Sequence, residues 1–180
     1  MTINNSIDII SKIKLLISDV DGILTDGKIL IGSDNTESKF FNVEDGTGAA
    51  LAYFAKIPIA LISGRYSKCT EIRASELKVE HCFQNTLNKT KVLHKLMKIY
   101  SVEYNEIAYI GDSLVDIPVL NRVGYPISVP NAHGLAKKSA LHITKKSGGQ
   151  GVLLEVIELI LKSRGQYDDV LELMSREKFE

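Results

Sequence analysis

Two aspartates one residue apart, Asp19 and Asp21, follow a short apolar run and precede a glycine in the stretch Leu15-Leu-Ile-Ser-Asp-Val-Asp-Gly-Ile-Leu-Thr-Asp-Gly27. Carboxylates at that spacing are close enough to share a hard divalent cation, or to divide nucleophilic and acid/base work between them. A strand ending in a polar Asp/Gly turn would give the same letters with no chemistry attached. Further polar positions weigh against that plain reading: Ser63 before Gly64, Lys89 behind a capping Asn88, and Asp112 with Asp116 four residues on. Any one of these alone reads as a cap or a solvated side chain. Together they suit one reaction. A hydroxyl and an ammonium hold a phosphate, and carboxylates hold Mg²⁺. A free carboxylate attacks phosphorus in line, while metal and lysine neutralise charge on the equatorial oxygens.

The elements needed to bring them together are present. Lys14 to Ile17 reads as a fully buried strand. Ile57–Ser63, Glu80–Gln84, Glu106–Ile110, Gly124–Val129 and Leu141–Thr144 read as further strands. Helices are expected at Ala49–Lys56, at about Ser67–Leu77, after Asn88, and from Asp116 to about Arg122. Another is expected between the last two strands, and a final one at Val152–Lys162. The Asn88-capped helix shows one apolar face, Val92, Leu93, Leu96, Ile99 and Tyr100, whereas the final helix is apolar nearly all round. Ile3, Ile7 and Ile10 suggest a leading helix over 2–12. Two extended runs, 28–31 and 38–43, flank a Gly32–Asn35 turn and form a hairpin beside the paired carboxylates. The tail 165–180 is polar, helical around Val170–Met174 or loose.

Strand and helix alternate throughout. This predicts an α/β fold, a doubly wound, mostly parallel, Rossmann-like sheet with helices on both faces and right-handed crossovers. One domain spans 1–180, with its core at about 13–164. In such sheets ligands bind beyond the carboxyl ends of the strands, where the polar positions fall.

Composition narrows the function. Lys and Arg number 22 and Asp and Glu 22, so no net charge points to nucleic acid or an anionic membrane. No apolar run reaches membrane-spanning length, and no secretion signal is visible at the N-terminus. Cys69 and Cys82 form no CxxC pair and are expected to be reduced, in a cytoplasmic protein. Gly46-Thr-Gly48 begins like a dinucleotide fingerprint, but Leu51 occupies the last glycine position, and no P-loop occurs. The four histidines show no zinc spacing. Lys137-Lys138 and Lys145-Lys146 read as solvated faces. Gly148-Gly-Gln-Gly151 is either a flexible turn or a loop lining the site.

The segments Asp19-Val-Asp21-Gly-Ile-Leu-Thr25, Ser63-Gly64-Arg65, Lys89 and Gly111-Asp112-Ser-Leu-Val-Asp116 resemble, in order, the four motifs of the haloacid dehalogenase superfamily. From Ile13 to Arg164 the chain resembles more closely the 3-deoxy-D-manno-octulosonate 8-phosphate (KDO 8-phosphate) phosphatases. This likeness is carried by DVDGILTDG, the hairpin leading to FNVEDGTG, LISGR, GDSLVDIPVL and GGQG. The resemblance implies that Asp19 is the nucleophile and that Asp21 protonates the leaving oxygen, then activates water. Asp19, the backbone carbonyl of Asp21, and Asp112 would bind Mg²⁺. Ser63 and Lys89 would hold the phosphoryl group, with Asp116 steadying Lys89 or a metal-bound water. Asn42, Asp45, Gly46, Gly64, Arg65, Arg73 and Lys89 would contact the sugar acid or its phosphate.

The gaps between motifs leave no room for a large cap domain, so the hairpin is the only flap. The family solves this as a homotetramer in which neighbouring subunits cover each site. The implied substrate is KDO 8-phosphate, in lipopolysaccharide precursor synthesis. Glu44, Ala50 and Leu154 stand where arginines are usual, and replacing Arg by Glu near an anionic sugar acid is not neutral. A nonulosonate 9-phosphate, or a non-catalytic domain with an assembly or regulatory role, remain as other readings.

Overall fold

Three four-residue apolar runs, Leu-Leu-Ile-Ser, Ile-Ala-Leu-Ile and Ile-Ala-Tyr-Ile, are buried at every position and form the centre of the sheet. The computed structural model describes residues 8–176. In chain order the strands are β1 Leu15–Ser18, β2 Leu30–Ile31, β3 Glu37–Ser38, β4 Ile59–Ile62, β5 His81–Phe83, β6 Ile107–Ile110, β7 Tyr125–Ser128 and β8 His142–Ile143. The helices are α1 Glu44–Phe54, α2 Lys68–Glu76, α3 Lys89–Tyr100, α4 Ile117–Leu120, α5 Gly134–Ser139, α6 Val152–Ser163 and α7 Tyr167–Arg176.

Six strands pair in parallel in the order β5-β4-β1-β6-β7-β8. Numbered among themselves they run 3-2-1-4-5-6, the doubly wound order that reverses between β1 and β6. Leu16 lies opposite Ile59 on one side and Ala108 on the other. The strands are covered on both faces, which is why they read as unbroken apolar runs rather than alternating ones. Leu15, Ile17, Ala60, Ile62 and Tyr109 face Val92, Leu93 and Leu96 of α3 and Val119 of α4. Leu16, Leu61, Ala108 and Ile110 face Leu51 of α1 and the α6 residues Val152, Val156, Ile157 and Ile160. The hairpin β2–β3 is a separate antiparallel pair, and no cap domain is evident among the described residues.

Several expected boundaries move. Helix α1 begins at Glu44, not Ala49, so Asp45 and Gly46 lie inside it rather than in a preceding loop. The glycines that argue locally against helix are there for packing: a Cβ on Gly48 would lie 2.7 Å from Leu154 N of α6. The second hairpin run holds strand only at Glu37–Ser38, and 39–43 is irregular. The tail is helical over Tyr167–Arg176 and docks Tyr167, Val170 and Met174 on the core beside α1 and α6. Most of the expected leading helix lies outside the described residues; Asp8–Ile10 is helical, and Ile10 and Ile13 are buried. Cys69 and Cys82 are free thiols. Among the described residues no helix is long and apolar enough to cross a membrane.

Candidate active site

The strand order reverses between β1 and β6, and the ends of both strands carry acids. Asp19 directly follows β1, and its N–H donates to Ile110 O at 2.9 Å, pinning the strand end to β6. The chain then coils tightly. Leu24 N–H donates to Val20 O at 2.9 Å, and Thr25 Oγ1 accepts from the N–H groups of Gly22 and Gly27 at 3.3 and 3.2 Å. Gly22 has φ +91°, a left-handed conformation, and a Cβ there would fall 2.1 Å from Asp112 Oδ2. The two acidic loops therefore close on each other through bare backbone.

The Gly148–Gly151 segment is packed rather than loose. A Cβ on Gly148 would fall 1.8 Å from Gly22 O, and Gly149 N–H donates to Ile23 O at 2.9 Å. Its backbone clamps the outside of the coil that carries Asp21 and Gly22.

Ser63 follows β4, and its N–H extends the ladder to Phe83 O at 2.8 Å. Its hydroxyl donates to Arg65 O at 2.8 Å and lies 3.5 Å from Asp21 Oδ2. Lys89 opens α3, where the Asn88 side chain caps the helix by accepting from Lys91 N–H at 3.2 Å. The buried Lys89 ammonium reaches Asp19 Oδ2 at 2.8 Å and Asp116 Oδ1 at 2.7 Å. Asp116 is saturated. Its Oδ1 also accepts from Tyr109 OH, and its Oδ2 accepts from Asp112 N–H at 3.2 Å, Ser113 N–H at 2.9 Å and Ser113 Oγ at 2.6 Å.

Burial pushes the Asp19 carboxyl up to about 8; Lys89 pulls against this, while Asp116 and Asp112 add to it. Burial, then the Asp116 charge, lifts Asp112 to about 6. Asp116 stays below the ordinary carboxylate value despite burial, because Lys89, Ser113 and Tyr109 stabilise its charge. Burial works against the Lys89 ammonium, but Asp19 and Asp116 outweigh it and raise its pKa.

Three carboxylates thus face one ammonium, a local shortage of positive charge. One oxygen from each of Asp19, Asp112 and Asp116 lies within 4.8 Å of the others. Asp112 Oδ1 is buried without a hydrogen-bond partner. An all-oxygen donor set with an orphaned carboxylate oxygen fits a hard divalent cation such as Mg²⁺. Among the described residues each Asp19 oxygen has a single partner, Val20 N–H on Oδ1 and Lys89 on Oδ2, so Asp19 and Asp112 keep the capacity to hold it, whereas the Asp116 oxygens carry two and three partners.

The residues implied for sugar binding fall into two groups. Gly64 and Arg65 sit beside Ser63, and the half-exposed Arg65 pairs with Glu37 at 2.6 Å. Lys89 stands apart from both, against Asp19 and Asp116, while Asn42, Asp45, Gly46 and Arg73 gather at the junction of the hairpin, α1 and α2. Asn42 stands two residues before α1, its Oδ1 accepting from Glu44 N–H at 2.9 Å, and its amide donates to Gly149 O at 3.2 Å. Arg73 donates to Asn42 O at 2.8 Å and pairs with Glu76, with Gly46 packed beside its guanidinium. Asp45 turns inward. It is 1% exposed and accepts from Leu153 N–H at 3.0 Å, capping α6 from a distant part of the chain. Glu44 pairs with Lys146, Ala50 is buried, and Leu154 packs on the core.

Sequence reasoning passes over Lys39. Its side chain is wholly buried and its ammonium meets Asp21 Oδ1 at 2.6 Å. No periodicity or motif marks a lone lysine in an extended run; only the fold brings it to Asp21.

The sequence matches a family model described as haloacid dehalogenase-like hydrolase over residues 35–156. It is 39% identical over 167 residues to a 3-deoxy-D-manno-octulosonate 8-phosphate phosphatase from Escherichia coli (strain K12), spanning 91% of this chain and 89% of that protein. The fold is similar to the crystal structure of a phosphatase of that name from Moraxella catarrhalis, in complex with magnesium ion, phosphate ion and a KDO molecule. The TM-score there is 0.92 at 38% identity, covering 96% of this chain and 99% of the other. The Yersinia pestis enzyme of the same name superposes with a TM-score of 0.89 at 37% identity, over 92% and 89% of the two chains.

Proposed function

The chain belongs to the haloacid dehalogenase-like hydrolases, in the KDO 8-phosphate phosphatase family, and on that footing we propose that it hydrolyses KDO 8-phosphate to KDO and phosphate. It is a magnesium-dependent phosphatase, and its product serves lipopolysaccharide precursor synthesis. The observation that carries the reading is the meeting of Asp19 with Lys89 at 2.8 Å, beside the orphaned oxygen of Asp112.

Each side chain then has a task. The Asp19 carboxylate attacks phosphorus. Asp21 gives its proton to the departing sugar oxygen, which keeps the electron pair of the broken P–O bond and leaves as an alcohol. In the second half Asp21 takes a proton from the water that attacks the aspartyl-phosphate, freeing Asp19. Ser63 Oγ and Lys89 Nζ hold phosphoryl oxygens, and Asp116 keeps Lys89 aimed at them. Asp19, the backbone carbonyl of Asp21 and Asp112 would hold Mg²⁺, which when bound neutralises phosphoryl charge and favours ionised Asp19. Arg65 pairs with Glu37 through one amino group, and its other amino group, which has no partner among the described residues, is the cation we assign to the sugar carboxylate. Asn42, Gly46 and Arg73 form a second, separate group at the hairpin junction that we assign to the sugar, and Asp45 supports it by capping α6.

A second substrate reading rests on Glu44. An acid at this position disfavours a sugar acid bound close by, although pairing with Lys146 offsets part of its charge. A longer nonulosonate 9-phosphate would meet this segment differently. Phosphate release from KDO 8-phosphate and from nonulosonate 9-phosphates, with Mg²⁺ or with EDTA, decides between them. Preference for KDO 8-phosphate supports the first reading, and no release from any ester leaves only a non-catalytic role.

The assembly we propose is a homotetramer of single-domain subunits working in the cytoplasm. Leu30, Ile31, Phe40 and Val43, on and beside the hairpin, are 63 to 83% exposed, an apolar set suited to a second copy of this chain. Light scattering on the eluting protein gives the subunit count; a monomer at micromolar concentration contradicts the assembly.

A further inference from the structure

The geometry points to Lys39, at the base of the hairpin, as the residue that positions the Asp21 carboxylate for proton transfer. The inference rests on the acid/base task proposed for Asp21. Lys39 Nζ meets Asp21 Oδ1 at 2.6 Å, Thr70 Oγ1 at 3.3 Å and a Glu37 oxygen at 3.9 Å. Its side chain has no exposed surface. An ammonium taken out of water must be paired and hydrogen-bonded to be tolerated, and Asp21 is the nearest of its partners.

The pairing divides the two oxygens of Asp21. Oδ1 is tied to Lys39. Oδ2 faces the Ser63 hydroxyl at 3.5 Å, the side on which the phosphoryl group is held in the proposed reaction. One oxygen fixes the rotamer and the other is left for the travelling proton. Without Lys39 the carboxylate would keep only that longer contact among the described residues.

Lys39 is itself held by the architecture. Arg65 pairs with Glu37 at 2.6 Å, Cys69 Sγ donates to Glu37 O at 3.3 Å, and Thr70 belongs to α2. The hairpin base is thereby fastened to the helix that follows Ser63. The hairpin does more than cover the site, because its base forms one wall of the acid/base position.

Two esters without a sugar carboxylate separate this role from substrate binding. p-Nitrophenyl phosphate has a leaving group that departs without a proton, whereas benzyl phosphate releases an alkoxide unless one is supplied. The value of kcat/KM reports the step up to leaving-group departure. Lys39→Met is expected to lower kcat/KM for benzyl phosphate roughly tenfold or more beyond its effect on p-nitrophenyl phosphate, a part of the ~10²–10⁴-fold contribution of general acid catalysis. In an Asp21→Asn background, where the single-turnover rate of leaving-group release is compared instead, the same substitution is expected to add no selective loss. Equal losses on both esters, no loss, or a selective loss that persists in Asp21→Asn would each overturn the assignment. Lys39→Gln is judged by the same ratio if the Met variant melts below the assay temperature. Wild-type protein inactive on both esters and on KDO 8-phosphate sinks the phosphatase reading and this inference with it. An active wild type with an unchanged ester ratio in the Lys39 variant sinks only the inference.

Discussion

Lys89 Nζ stands 2.7 Å from Asp116 Oδ1, with both side chains sealed from solvent. Every lone-pair direction of Asp116 is used to hold Lys89, Tyr109 and the 112–113 backbone in one arrangement. Asp116→Ala removes one partner of a buried ion pair and orphans Ser113 and Tyr109 at once. Lys89 keeps Asp19 as a partner, so the loss expected is that of the orphaned buried groups, about 1–3 kcal/mol, read as a lower urea midpoint, together with reduced phosphatase turnover. A variant as stable as the parent would contradict the assigned role.

Gly22 must remain side-chain-free for two reasons: its φ of +91° and the Asp112 carboxylate that fills the space a Cβ would need. Gly22→Ala is therefore expected to displace Asp112 while leaving the sheet intact. Mg²⁺ affinity measured calorimetrically should fall about 10- to 100-fold, the range seen when the supports of a metal ligand are disturbed. Unchanged affinity in the folded variant would mean that Asp112 does not hold the cation.

Burial raises Asp45 from 3.8 to about 6, with the Leu153 N–H only partly compensating. Folding thus favours its protonated form. That contribution is complete below pH 3.8, fades as pH rises, and is gone above about 6, where the charged group costs roughly 3 kcal/mol. Asp45→Asn keeps an acceptor for Leu153 without the charge. It should melt well above the parent at pH 8 and close to it at pH 4; an equal difference at both values would refute the buried charge.

Local pattern was enough to reveal β1, β4 and β6, because strands buried on both faces leave unbroken apolar runs in the text. The polar residues at their ends were equally readable, since a parallel sheet puts every carboxyl end on one edge. Residues whose reason lies elsewhere in the chain were not. Gly48 looks like a helix breaker until α6 is seen lying against it. Asp45 looks like a site residue until its bond to Leu153 appears. Lys39 looks like nothing at all until the hairpin folds back on Asp21. The polar tail reads equally as helix around Val170–Met174 or as loose chain until Val170 and Met174 meet the core beside α1 and α6.

Rapid-quench kinetics with p-nitrophenyl phosphate and Mg²⁺ test the division of labour between Asp19 and Asp21 most directly. Asp21→Asn should release about one equivalent of p-nitrophenolate per site and then stall, since the leaving group needs no acid but the phosphoenzyme needs a base. Asp19→Asn should give neither burst nor turnover. A burst from Asp19→Asn, or rapid steady turnover by Asp21→Asn, would show that these two carboxylates do not share the reaction in this way.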